Sequence, residues 1–501
     1  MPCGLCDAFR RSNGERLLRT GALVVPAVLL LTVDLAGNDA HRGCAGHIVQ
    51  AEEHGPPCEI RRNEPDPEAA ENNGQPASPT STGTSTGHIA IDSQYGYDIL
   101  DPTTNINRKQ LLILDRKQDG TLAPNSVHVQ GAVTTIANLQ SSNTADKFGY
   151  LMRHPTAANQ VGTTVSEAAV HSMQLGFTSV MGGWITANAE LLYDPEQSFG
   201  HGTNTAIERN QVQVRRAYAL LGNLDDSPFY VSLGKMAVPF GLTDTLNPFT
   251  ASTVWHAFGG LANGVTLGYT NDGLHASIMG IQGGAQFRAA NTPVNGTNVP
   301  SSLNNFAVDV NYSPKRDSAA RLLFGSSYQR GSAYCQEFPV IHFAPCPDNN
   351  PALDAYGRLD YRNFTLKGEF ARTTDEWPGT FNPAIPQFAP SRVTSFDLGA
   401  RYRHARGAGR MDFSAEFSRF IAGPDGAPWE RQDQLVLGIA WFHRANAKLF
   451  AEYVRVKGYA PLNFISGGSI SNEDGEILLD RTHSDRFGRS HVLMMGANVA
   501  F

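Results

Sequence analysis

In the C-terminal three-quarters of this chain, charged residues recur at every second position, opposite aromatic and aliphatic ones. Thr365, Lys367 and Glu369 share one parity, and Phe364, Leu366 and Phe370 the other. Asp412, Ser414, Glu416 and Ser418 likewise oppose Phe413, Ala415 and Phe417. Near 304–313, Asn305, Asp309 and Asn311 oppose Phe306, Val308, Val310 and Tyr312. Extended by parity, the candidate cations are Arg215, Arg321, Arg358, Lys367, Arg401 and Arg403. The candidate anions are Glu190, Asp309, Asp360, Glu369, Asp397, Asp412, Glu416 and Glu452. Groups of both signs on one side of a surface can hold water and steer ions; they can also simply pair across strands. Bond-making chemistry finds no signal. There is no Gly-x-Ser-x-Gly and no His-Glu-x-x-His, and the histidines are scattered. Neither an enzyme nor a cofactor or metal is expected.

An every-second-residue pattern means strands, because successive side chains on a strand point to opposite faces. The last eleven residues show it plainly. His491, Leu493, Met495, Ala497, Val499 and Phe501 fall on one side, and Val492, Met494, Gly496, Asn498 and Ala500 on the other. Extended segments recur near 127–139, 168–180, 183–193, 209–221, 229–238, 263–270, 273–281, 304–313, 319–330, 353–361, 364–373, 392–404, 411–421, 433–443, 446–457 and 490–501. Their connections alternate between short (270–273, 313–317, 361–363, 406–409) and long. Sixteen or so strands with this alternation predict an all-β fold, a transmembrane antiparallel up-and-down β-barrel with short periplasmic turns and long outer loops. Apolar content of 41% is too low for a helical membrane bundle, and barrels hide in such averages because only alternate residues face lipid. Arg or Lys at the lipid midplane costs about 2–4 kcal/mol, so the charges above belong in a wet lumen. A net charge of −7 gives no reason to expect a nucleic-acid partner.

The N-terminus divides differently. Arg10, Arg11, Arg16 and Arg19 precede the mostly apolar run Gly21 to Val33, which is too short to span a membrane and suits an export signal over 1–37. Residues 38–88, with Pro, Ser and Thr between Pro76 and Gly83, predict a disordered linker. Residues 89–126, with a short helix expected over Arg108 to Gln118, belong at the periplasmic mouth or inside the barrel, and 127–501 form the barrel.

Among the long loops, 239–262 is the least polar. It carries Asp244, Trp255 and His256 between flexible points at Gly241 and Gly259. Cys335 and Cys346 bracket a short stretch of the fifth long loop, and export would expose them to oxidation. A disulfide there would contribute about 3 kcal/mol in the chain-entropy model.

Several segments resemble the LbtU-type siderophore porins of bacterial outer membranes. They include Asn105 to Asp115, Phe148 to His154, Tyr193 to Phe199, Leu233 to Gly241, Asn247 to Thr250, Gly283 to Ala290, Pro428 to Arg431 and Tyr459 to Ser466. The resemblance covers about residues 89 to 501. It implies a Gram-negative outer-membrane barrel that admits an iron chelate or another small polar solute by diffusion. Related phosphate- and carboxylate-selective porins share the run Lys235, Pro239, Phe240 and Gly241, which makes Lys235 the first candidate beside the constriction. In sixteen-strand porins the third outer loop folds inward, and by that likeness Asp244, Trp255 and His256 are assigned to the narrowing. The partners implied are outer-membrane lipid and lipopolysaccharide and a solute such as a ferric siderophore. A homotrimer stays open, and a barrel serving as an adhesin is the alternative of another class.

Overall fold

The computed structural model describes residues 89–145, 147–148, 162–194, 198–199, 207–208, 211–282, 303–314, 319–334, 349–377, 391–406, 409–444, 446–459, 470–471, 477–478 and 484–501. The export signal, the linker and all six cysteines, Cys335 and Cys346 among them, lie outside the described residues.

Sixteen antiparallel strands form one closed barrel. They are β1 (Ser126–Ser142), β2 (Thr164–Met181), β3 (Ile185–Asp194), β4 (Gln211–Gly222), β5 (Phe229–Ala237), β6 (Leu261–Asn271), β7 (Leu274–Gln282) and β8 (Leu303–Tyr312). The second half holds β9 (Ala320–Gln329), β10 (Ala352–Tyr361), β11 (Phe364–Thr373), β12 (Thr394–Arg406), β13 (Gly409–Ile421), β14 (Arg431–Arg444), β15 (Ala447–Tyr459) and β16 (Asp485–Ala500). Each strand pairs with its sequence neighbour, and β1 pairs with β16 from Ala132–Ala500 to Ser142–Ser490, so no edge remains. Every segment read from the alternation is one of these strands. The main differences are at the outer ends of β2 and β16, which run further than their apolar pattern does.

The two faces separate as the alternation requires. On β11, Phe364, Leu366 and Phe370 are exposed, while Thr365, Lys367, Glu369 and Ala371 are buried inside. The outward side chains form an apolar belt. At its short-turn end the belt is aromatic, with Trp184, Phe229, Tyr312, Tyr361, Phe364, Trp441 and Phe501 all exposed. This is the girdle that a barrel places at a membrane interface.

The lumen is filled by two pieces of chain. Residues 89–125 enter beside the start of β1, where Ile89 and Ala90 pair in parallel with Val127 and His128. They form α1 (Ser93–Leu100) and α2 (Lys109–Gln118). Asp92 caps α1 by accepting from the Tyr95 N–H at 2.9 Å. The Tyr95 hydroxyl reaches the inward Thr178 of β2 at 2.8 Å, which places α1 inside the barrel. At the end of α2, Lys117 donates to the carbonyl of Gly222 at 2.7 Å, at the short-turn rim. Gly96 permits the docking: a Cβ there would stand 2.2 Å from the backbone oxygen of Phe501. The second piece is the third long loop, 238–260. Its short helix α3 (Thr253–Phe258) lies against β11, β12 and β13.

The C-terminal residue closes the seam. Phe501 donates to the Gly131 carbonyl at 2.8 Å and accepts from the Gly131 N–H at 3.1 Å. Its ring covers Gly131, where a Cβ would stand 2.2 Å from the ring carbons. Deleting Phe501 removes both bonds and should cost about 1–3 kcal/mol. A lowered urea midpoint of the refolded barrel is the expected result, and an unchanged midpoint would show that the seam does not depend on this residue.

Candidate functional site

The third loop is held by carboxylates of the barrel wall. Glu369 on β11, Glu416 on β13 and Glu452 on β15 all point inward and are nearly fully buried. Each takes backbone donors from the loop. Glu369 accepts from the Thr243 N–H with both oxygens, at 2.9 and 3.0 Å. Glu416 accepts from the Leu246 N–H at 3.0 Å, the Thr245 hydroxyl at 2.9 Å and the Asn247 amide at 3.1 Å. Glu452 accepts from the N–H groups of Phe249 and Thr250 at 2.7 and 3.1 Å, and from the Thr250 hydroxyl. A loop that folds into a barrel carries N–H groups with no ladder partner, and ionised carboxylates are the strongest acceptors available. Lysines take the opposite polarity. Lys448 donates to the Pro248 carbonyl at 2.7 Å, and Lys367 to the Asp244 carbonyl. Lys367 also pairs with Asp397 at 2.7 Å and with Glu369 at 3.4 Å.

The tip of the helical hairpin joins this loop. Asn107 donates to the carbonyls of Phe240 and Gly241 at 2.8 and 3.1 Å, and the Ile106 N–H donates to Asp244 at 3.1 Å. Thr245 N–H returns a bond to the Thr103 carbonyl at 3.0 Å. Lys109 stitches the hairpin internally, donating to the carbonyls of Asp98, Asp101 and Thr104 at 2.6, 3.0 and 3.1 Å. Burial is the largest influence on this amine. It lowers its pKa to about 8, against the raising effect of Asp101.

The residues singled out from the sequence fall into three places, with one exception. Asp244, Lys367, Glu369 and Glu416 meet where the loop is strapped to the wall. Arg215, Trp255 and His256 meet around a cavity of about 70 Å³ between the loop, Pro102 of the hairpin tip, and His171 of β2. Arg321, Arg358, Arg401 and Asp412 lie inside the barrel at its short-turn end. Lys235 belongs to none of these. On β5 it shares parity with the exposed Phe229 and Leu233, whereas Tyr230, Ser232 and Met236 point inward. Its ammonium donates to the Val214 carbonyl at 2.9 Å, just beyond Ala217–Lys235, where the β4–β5 ladder ends. The expectation that Lys235 sits beside the constriction is therefore corrected: a lysine near the end of an outer face satisfies itself on a backbone oxygen.

Arg216 and Lys448 are two of the inward charges that escaped the sequence, for identifiable reasons. Arg216 bonds Glu190 at 2.6 Å, beside Arg215 at 3.1 Å. The β3–β4 register jumps between Glu190–Arg216 and Leu191–Val214, so Arg215 is an extra residue and both arginines face inward. The signal was present as a parity switch: Val212 and Val214 face out before the bulge, Ala219 and Leu221 after it. Lys448 shares the inward parity of Glu452 and could have been found from it.

A closed antiparallel barrel with an apolar belt, an aromatic girdle and a charged interior is an outer-membrane β-barrel. No family model matches the chain. A UPF0422 protein of Coxiella burnetii is 34% identical over 104 residues, and the chain spans about a fifth of that relative's length, 20% of each. Among solved structures, an anion-selective porin from Comamonas acidovorans is 14% identical at a TM-score of 0.45, with 75% of this chain and 99% of that one covered. The outer-membrane channel DcaP of Acinetobacter baumannii is 12% identical at 0.44, with 75% and 97% covered. OprB of Pseudomonas putida is 9% identical at 0.43, with 74% and 94% covered.

Two outcomes test this geometry. Glu416→Ala leaves the buried Leu246 N–H without its acceptor, at about 1–3 kcal/mol, and takes one of two bonds from both the Thr245 hydroxyl and the Asn247 amide, which keep the Thr250 carbonyl. The thermal midpoint should fall and protease should reach the third loop; a loop as resistant as before would mean that Glu416 does not hold it. Lys235→Gln, by contrast, should leave the ion selectivity of the protein in a salt gradient unmoved, because its side chain is outside the lumen.

Proposed function

We propose that this chain is an outer-membrane porin that passes small polar solutes by facilitated diffusion. The observation that carries the reading is the lumen itself. Its wall presents inward carboxylates, guanidinium groups and ammonium groups from β3 to β15, and an inward loop narrows the waist. Glu369, Glu416 and Glu452 hold the loop, and beyond them Arg321, Arg358, Arg401 and Arg403 face the lumen and stay open to water, which supports a wet path.

The helical hairpin and the third loop both occupy the lumen. With the hairpin docked, the cavity beside Trp255 and His256 is about 70 Å³. A drug-sized ligand fills about 300 Å³ or more, so a ferric siderophore requires the hairpin or the loop to move aside. The siderophore assignment is supported by the resemblance of segments such as Leu233 to Gly241. Phosphate and carboxylate solutes need less room and are the second reading.

Gly96 offers a way to test the hairpin without removing it. Gly96→Leu places a side chain against the Phe501 carbonyl and should lift α1 from the seam. In planar bilayers, the parent chain should show small single-channel steps and the variant steps at least several-fold larger, with the barrel still folded by its heat-shifted gel mobility. Silent bilayers for both proteins would defeat the porin reading and favour an adhesin or structural barrel.

A further inference from the structure

At the short-turn end of the lumen, one stretch of wall is far more basic than the rest. Arg321 lies on β9, Arg358 on β10, Arg401 and Arg403 on β12, and Arg410 on β13. All five belong to inward-facing rows. The register runs Arg321–Asp360, Asp360–Thr365, Thr365–Arg401 and Arg401–Ser414, so these residues form one lateral row. Arg403–Asp412 lies in the row below it, and Arg358–Lys367 in the row above.

Two carboxylates partner this group, and they are already in use. Arg358 grips Asp360 with two bonds of 3.0 Å, and Thr365 adds a third at 2.7 Å. Asp412 is shared by Arg403 and Arg410, each at 3.3 Å. Arg401 and Arg321 make no hydrogen bond and no ion pair among the described residues. The charged groups that act on Arg401 are Arg403, Asp412, Arg358 and Arg410, three of them cations. The patch is open to water: Arg321 and Arg403 are exposed, and Arg358, Arg401 and Arg410 are half-buried. The deeper wall differs, since Lys367, Glu369 and Glu416 are sealed beneath the third loop.

We infer that this arginine wall, centred on Arg401, is a binding site for a small polyvalent oxyanion of the phosphate or polycarboxylate class, entered from the short-turn side. Several forked donors on a concave surface match an ion that presents oxygens in several directions. Unspent guanidinium groups held beside like charges gain most from an anion with more than one charge. Arg401 has Arg358 and Arg403 in the rows on either side of it, so the anion it binds meets more than one guanidinium. The inference deepens the porin reading, on which it rests for a wet lumen, by naming a solute class and the place where it is held.

The test is equilibrium dialysis of inorganic phosphate against the detergent-solubilised full chain, with chloride as the monovalent competitor. Saturable binding is expected, little affected by equimolar chloride. Arg401→Gln should weaken it by about tenfold or more, and Arg401→Lys should restore part of the loss. Arg401 makes no bond that its replacement would break, so folding should survive, which heat-shifted gel mobility checks. Lys235→Gln, on the outer face, should bind as the parent does. The inference is overturned if the parent shows no saturable binding, if Arg401→Gln binds as well as the parent, or if Lys235→Gln weakens binding equally. Conductance is scored separately: a chain that binds phosphate yet never conducts would fail as a porin while keeping this site.

Discussion

The structure depends on one constraint, that backbone N–H and C=O groups in a bilayer have no water to bond. Strands can satisfy them only by pairing on both sides, and a sheet escapes edges only by closing. Closure here falls on β1 and β16, finished by the two bonds between Gly131 and Phe501. Once the barrel is closed, the two-residue period of a strand decides the rest. Every second side chain meets lipid, and its neighbours meet the lumen.

The same constraint explains the interior charges. A loop and a helical hairpin folded into the lumen bring more backbone donors that no ladder satisfies. The wall answers them with Glu369, Glu416 and Glu452, while Lys367, Lys448 and Lys109 serve the carbonyls. Many of the charges that look from the sequence like the lining of a path are thus committed to holding the third loop in place. Those that remain available, Arg401 and Arg321 above all, lie below it at the short-turn end.

The division between committed and available charges also separates stability from the proposed solute binding. Removing a strap such as Glu416 strands buried donors and loosens the fold locally. Removing Arg401 strands nothing. The two kinds of substitution can therefore be told apart by whether unfolding or solute binding moves first.

The sequence by itself determined the sixteen strands, the alternation of short and long links, and the inward parity of Glu369, Glu416, Arg401 and Asp412, because period two survives in any strand whose register is unbroken. It also marked the third loop as unlike the others. It did not determine the inward turn of Arg216, because a bulge is a property of two paired strands rather than of one. Lys235 was misplaced because its motif was read ahead of its parity. Whether residues 89–126 stood at the mouth or in the lumen was settled only in three dimensions. The fit of Gly96 against the Phe501 carbonyl and of Asn107 against the third loop joins positions more than a hundred residues apart. Contacts of that range leave no period in a single chain, and only the closed barrel brings them together.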